Sequence, residues 1–190
     1  MRTPSKHIYR STLLLICMVF LMGCWDRKEI NMLAIVTSAA IDKYNKDMYE
    51  LSIQIYVPKS AGSSGGSEGG GGSSQLLVRS GVGHTVAEAV NNLQKSLPRS
   101  IFWGQCEVFI ASKEVTSEGV RPHLDYIMRE PKTRGNAYFY ISQGKAKQML
   151  ELKPPLNKST AEVLHNLAVL KVGVPLRAGA FQDMLVSDAG

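Results

Sequence analysis

At 190 residues, with 44% hydrophobic and 20% charged positions, the chain has ordinary globular composition, enough for one domain and the start of a second. Its formal charge of +6 is partly local, because Arg2, Lys6 and Arg10 precede Cys24 with no acidic residue among them, and removing that leader takes the charge to +3. No Lys/Arg block alternates with aromatic residues, so nucleic acid is not the expected partner; a mildly basic, solvated surface is.

Residues 1–23 follow the secretory pattern, a basic start ending near Arg10 and then the apolar Leu13 to Met22. The uncharged run from Ser11 to Met22 is shorter than the about 20 residues that cross a bilayer, so it reads as a signal peptide. Leu21-Met22-Gly23-Cys24 has the form of a lipoprotein processing site, with Met22 the one departure from the usual small residue. The Cys24 thiol is suited to alkylation as an S-diacylglycerol thioether, and its freed amine to an N-acyl chain such as palmitate. Each buried CH₂ adds about 0.8 kcal/mol, which makes two chains a lasting anchor. Cys17 would leave with the leader and Cys24 would carry lipid, so Cys106 remains unpaired and reads as a small buried residue.

Past Cys24, Ile35-Val36-Thr37 and Ala39-Ala40-Ile41 predict a strand, Asp42 to Asp47 a polar turn, and Tyr49 to Val57 a second strand paired antiparallel to the first. In that second strand Leu51, Ile53, Ile55 and Val57 alternate with Ser52, Gln54 and Tyr56, which predicts one buried face. Residues 60–74 are almost wholly Gly and Ser and read as a long loop joining neighbouring strands, since strand pattern resumes over Gln75 to Val82. Thr85-Val86-Ala87-Glu88 is a capping box; Val86, Ala89, Val90, Leu93 and Leu97 follow at helical spacing until Pro98. Phe102 to Ala111 predicts a strand with Glu107 at an outward or edge position. Lys113 to Gly119 and Pro122 to Arg129 predict short helices, Ala137 to Ser142 a strand, and Lys145 to Leu152 a closing helix. From Lys153 the character changes: Thr160 to Leu170 is helix-like, and residues 153–190 read as a linker and the incomplete start of a second domain. The domain expected at 24–152 is therefore α+β, a mixed or antiparallel sheet with packed helices.

Catalytic motifs do not survive inspection. Gly65-Gly66-Ser67-Glu68-Gly69 matches the hydrolase elbow by chance within a Gly/Ser tract, because the elbow needs a strand and a helix around its serine. Gly81-Val82-Gly83 begins like a dinucleotide loop, yet Val86 stands where the third glycine belongs. His84, His123 and His165 are far apart, without the i, i+4 spacing of a zinc helix, so no metal is expected. Glu29, Asp42 and Glu107 are the carboxylates weighed as an acid–base pair, with solvated or capping roles the stronger reading. No catalytic residue and no cofactor is assigned.

The segment GCWDRKEINMLAIVTSAAIDK, with the glycine-rich insertion after QIYVPK, GHTVAEAVNNLQKSLPRSIFWGQCEVFIASKEV and LDYIMREPKTRGNAYFYISQGKAKQML, resembles the Ger(x)C family, the lipoprotein C subunits of spore nutrient-germinant receptors. The resemblance implies an N-terminal Ger(x)C-type domain, Cys24 as acylation site, the outer face of the spore inner membrane, and a non-enzymatic role beside the receptor's A subunit and permease-like B subunit. Family members are considerably longer, so it also implies a truncated or split product. Trp25, Asp26, Arg27 and Glu29, together with an exposed Phe102-Trp103-Gly104, are the candidate partner contacts, against packing and capping as the plainer role. The alternative function is a lipoprotein that binds a solute and delivers it to a transporter.

Overall fold

The computed structural model describes residues 10–11, 30–57, 75–129, 136–155, 159–173 and 175–187. The chain divides into two compact units, Met1–Asn31 and Met32–Gly190. In the first, Arg10 and Ser11 are helical and Ile30 opens a 3-10 turn, Ile30–Met32. Cys24 and the Gly/Ser segment 60–74 lie outside the described residues.

The second unit is built on one mixed sheet. Its strands are β1 (Leu33–Asn45), β2 (Met48–Val57), β3 (Gln75–Gly83), β4 (Ser100–Phe102), β5 (Val108–Ser112), β6 (Tyr138–Ser142) and β7 (Leu176–Arg177). They run in the order β3-β2-β1-β5-β6-β7, with β4 beside the start of β1. The expected β1–β2 hairpin is antiparallel, and β3 continues that meander, pairing Leu51 with Gly81. β5 and β6 lie parallel to β1 and to each other, while β7 returns antiparallel on β6. The helices are α1 (Val86–Lys95), α2 (Lys113–Gly119), α3 (Arg121–Arg129), α4 (Ala146–Glu151), α5 (Thr160–Val169) and α6 (Ala178–Ser187). An α+β architecture with helices packed on a mixed sheet is what the residue pattern led to.

Helix α1 starts where its capping box puts it. The Thr85 hydroxyl accepts from the Glu88 amide at 3.2 Å, and the Glu88 carboxylate accepts from the His84 amide at 2.8 Å, one residue earlier than the usual box. Val86, Ala89 and Leu93 turn inward over β3. That contact is possible because β3 presents glycine: a Cβ at Gly81 would stand 2.3 Å from the Ala89 carbonyl oxygen and 2.7 Å from Leu93 Cβ. The two glycines that begin like a nucleotide loop are a landing strip for a helix.

Both faces of the sheet are covered. On one, Val36, Ile41, Leu51, Ile53, Phe109 and Phe139 lie beneath α1, α3 and α6 in one apolar cluster. On the other, Ala40, Val108 and Ile110 meet Ala146 and Leu150 of α4 and Ala161 of α5. Burying one such leucine or isoleucine contributes about 1.5–3 kcal/mol, so neither layer is dispensable.

Three expectations change. The turn expected over Asp42 to Asp47 shrinks to Lys46-Asp47, because β1 runs on to Asn45 and Asp42 is fully buried. The polar row of β2 does not face water: Ser52 and Gln54 are buried by the second helical layer. The single strand expected over Phe102 to Ala111 is two, β4 and β5, both beside β1. They are separated where β1 shifts register around Thr37, whose carbonyl accepts from the Glu107 amide at 3.0 Å. Residues 160–187 contribute α5, β7 and α6, which fall in the same compact unit as the sheet. Phe139 pairs with Leu176 across the β6–β7 ladder, and the Phe139 and Phe181 rings stack at 4.9 Å.

Candidate functional site

Cys24, Trp25, Asp26, Arg27 and Glu29 lie outside the described residues. The other candidate contacts are placed, and their expected exposure is corrected. Trp103 is 6% exposed and belongs to the main apolar cluster, Gly104 is buried, and Phe102 is half-buried. The cause is a tight turn between β4 and β5, which both run parallel to β1; it is closed by the Cys106 amide donating to the Trp103 carbonyl at 2.9 Å. Gly104 sits against the Phe102 ring so closely that a Cβ there would come within 2.5 Å of it. Packing explains this triplet.

The titratable residues are likewise dispersed. Burial pushes the Cys106 thiol far above its ordinary range, which makes it a packing residue and not a nucleophile. Glu107 is exposed, as expected, and its amide bonds to Thr37 of β1, five residues before Asp42. At the rise of a strand that separation is about 17 Å, so the two carboxylates form no acid–base pair. His84, His123 and His165 lie on different elements, and among the described residues no group of three His, Cys, Asp or Glu could hold a metal ion. His123 packs its ring 4.2 Å from that of Tyr49, and burial, followed by the nearby Lys43 ammonium, lowers its pKa.

The polar chemistry of the fold is concentrated at the end of the sheet where β1, β5 and β6 all finish. Asp42 of β1 accepts from the backbone amides of Ala146 at 2.7 Å and Lys147 at 2.8 Å, capping α4 from the sheet. Gln54 of β2 donates to the Leu150 carbonyl at 2.8 Å near the other end of α4, while its own oxygen accepts from Thr37 and Ser38. Around this clamp, Lys147 pairs with Glu50 at 2.7 Å, an interaction that raises the lysine pKa, and Lys43 pairs with Glu118. Lys145 instead donates to a neutral group, the Lys43 carbonyl, at 2.6 Å.

Two openings accompany these elements. An apolar void of about 10 Å³ under α3, bordered by His123, Leu124 and Ile127, holds at most a single water. A larger cleft of about 210 Å³ lies outside the carboxyl ends of β5 and β6. Its walls are Ser112, Lys113 and Glu114 on one side and Gln143, Gly144 and Lys145 on the other. It exists because the chain leaves β5 toward the α2–α3 face and leaves β6 toward the α4 face, so the two connections part. Sequence reading missed the cleft, since its six residues come from two segments about thirty positions apart.

The α+β domain matches one family model, described as the spore germination protein N-terminal domain, over residues 26–172. The chain belongs to that family, the Ger(x)C germination proteins. Among its relatives in Bacillus subtilis (strain 168), the putative spore germination protein YfkR is 37% identical over 183 residues, covering 96% of this chain and 47% of the relative. Spore germination protein KC is 28% identical over 150 residues, 78% of this chain and 37% of the relative. Spore germination protein A3 is 26% identical over 180 residues, 91% of this chain and 47% of the relative. The chain thus spans about half the length, or less, of the curated relatives it matches. No solved structure matches it.

Proposed function

We propose that this chain acts in spore germination as a non-catalytic, lipid-anchored subunit of a nutrient-germinant receptor. Cys24 carries the diacylglyceryl group, the domain sits on the outer face of the spore inner membrane, and its partners are the receptor's membrane-bound A and B subunits. The observation that carries the reading is one of position: the matched family domain begins at residue 26, directly behind Cys24, so tether and folded domain are contiguous. Tethering confines partner encounter to the membrane plane and raises effective concentration without any new contact.

The test is recovery of A and B subunits with the tagged chain from detergent-solubilised dormant-spore inner membranes, beside a Cys24→Ala control and labelled-palmitate incorporation. Co-recovery with the lipidated chain and its loss in the control is the expected result. Normal label at Cys24 with neither subunit recovered would sink the receptor assignment while leaving the anchor in place.

A further inference from the structure

The cleft at the ends of β5 and β6 is unaccounted for by packing. It lies at a switch point of the parallel part of the sheet, where adjacent strands send their connections to opposite faces, and sheets of this kind leave a crevice there that receives ligands. At about 210 Å³ it has room for a small molecule, against the about 10–15 Å³ that one water needs.

Its charges are also unspent. The neighbouring lysines Lys43 and Lys147 are each neutralised by a glutamate. Among the described residues neither Lys113 nor Lys145 has a carboxylate partner, although both border the cleft. Lys145 is held in place by its bond to the Lys43 carbonyl, which orders the side chain and leaves its charge uncancelled. Gln143 adds an amide, and Glu114 a single carboxylate with no ion pair among the described residues. Gly144 forms part of the wall without crowding it: a Cβ there would meet nothing within 4 Å.

We propose that this cleft binds a small anionic molecule, a carboxylate or a phosphate, through the Lys113 and Lys145 ammonium groups and the Gln143 amide. Compact ammonium groups suit either anion as point charges. Glu114 sets the preference, because its carboxylate repels a bare anion and accepts from one that also carries a donor such as an ammonium group. The site is a property of the domain itself and does not rest on the receptor reading.

The full chain in detergent micelles is titrated with inorganic phosphate, acetate and glycine at constant ionic strength, with chloride as control, and backbone amide shifts are followed. Saturable shifts at Gly144 and Lys145 are expected. They weaken about tenfold or more in Lys113→Gln with Lys145→Gln, as loss of charge-assisted hydrogen bonds implies. Gly144→Leu, which leaves both lysines in the sequence and adds bulk to the open wall, is expected to abolish them, while Lys95→Gln, on the remote face of α1, is expected to change nothing. Phosphate and acetate responses separate the two anion classes. Glycine binding more tightly than acetate, with the order reversed in Glu114→Gln, establishes the donor requirement. No saturable response to any probe, a response equal in chloride, or one untouched by Gly144→Leu overturns the proposal.

Discussion

Asp42 and Gln54 stand on neighbouring strands and hold opposite ends of the same helix. The Asp42 carboxylate takes the first amides of α4, and the Gln54 side chain donates to the Leu150 carbonyl in its last turn. A helix of only six residues has no independent stability in water, so its place on the sheet depends on these two side chains and on Ala146 and Leu150 beneath it. Asp42→Ala strips a carboxylate from one buried and one partly buried amide and is expected to lower unfolding free energy by about 3 kcal/mol. Gln54→Ala removes the bond to the Leu150 carbonyl and leaves Ser38 short of an acceptor, while Thr37 keeps the residue 54 carbonyl, for about 2 kcal/mol. Urea unfolding measures both. If α4 is the shared element, the double variant costs less than the sum of the singles.

The Gly81 contact gives a harsher outcome from a smaller change. A methyl group there would collide with the Ala89 carbonyl and with Leu93, which belong to the backbone and core of α1 and have nowhere to move. Gly81→Ala is expected to cost about 3 kcal/mol, at the upper end for overpacking. Gly144→Ala, facing open space, is expected to change stability by less than about 0.5 kcal/mol. Parallel denaturation curves decide it; equal midpoints for the two variants would mean that α1 does not rest on β3 as closely as described.

These two sites also mark what could be read from sequence. Alternation gave β2 its strand, and capping chemistry gave α1 its start, because both signals are local. Asp42 looked like a turn residue beside Lys43, Asn45 and Asp47, since its partner amides lie 104 and 105 positions further on. Ser52 and Gln54 read as a solvent face for the same reason: their cover arrives with α4 and α5. Trp103 reverses the usual logic, because a turn around Gly104 inverts a side chain that strand periodicity would have left outside. Cys24 differs from these: its reading rests on four residues of sequence, and it lies outside the described residues.

His123 makes stability depend on pH in a definite direction. Its ring is buried against Tyr49, the Lys43 ammonium lies 4.9 Å from the centre of that same Tyr49 ring, and Glu118, paired with Lys43, is the one nearby group that opposes the shift. The folded state therefore protonates at lower pH than the unfolded chain, whose histidine titrates near 6.5. Below that value the unfolded state binds more protons, so stability falls as pH drops through 6.5 toward the lowered folded value. One group contributes at most about 1.4 kcal/mol per pH unit. His123→Leu is expected to flatten this part of the profile relative to the parent chain. Identical slopes would exclude His123 as the source.

The end of α5 carries a conformation that glycine would suit better. Val172 donates to the Leu167 carbonyl at 2.9 Å and Lys171 to that of Ala168 at 3.0 Å, the paired bonds that close a helix through a left-handed residue. That residue is Lys171, at φ 57°, the only non-glycine with positive φ among the described residues. A side chain in this region costs about 1–2 kcal/mol, partly offset by the greater freedom that glycine has in the unfolded chain. Lys171→Gly is accordingly expected to stabilise the domain by about 0.5–1 kcal/mol, and Lys171→Val to destabilise it by at least as much, since branching at Cβ worsens the same clash. Thermal unfolding of the two variants beside the parent tests the geometry directly. A glycine variant no more stable than the parent would mean that residue 171 does not hold the left-handed cap.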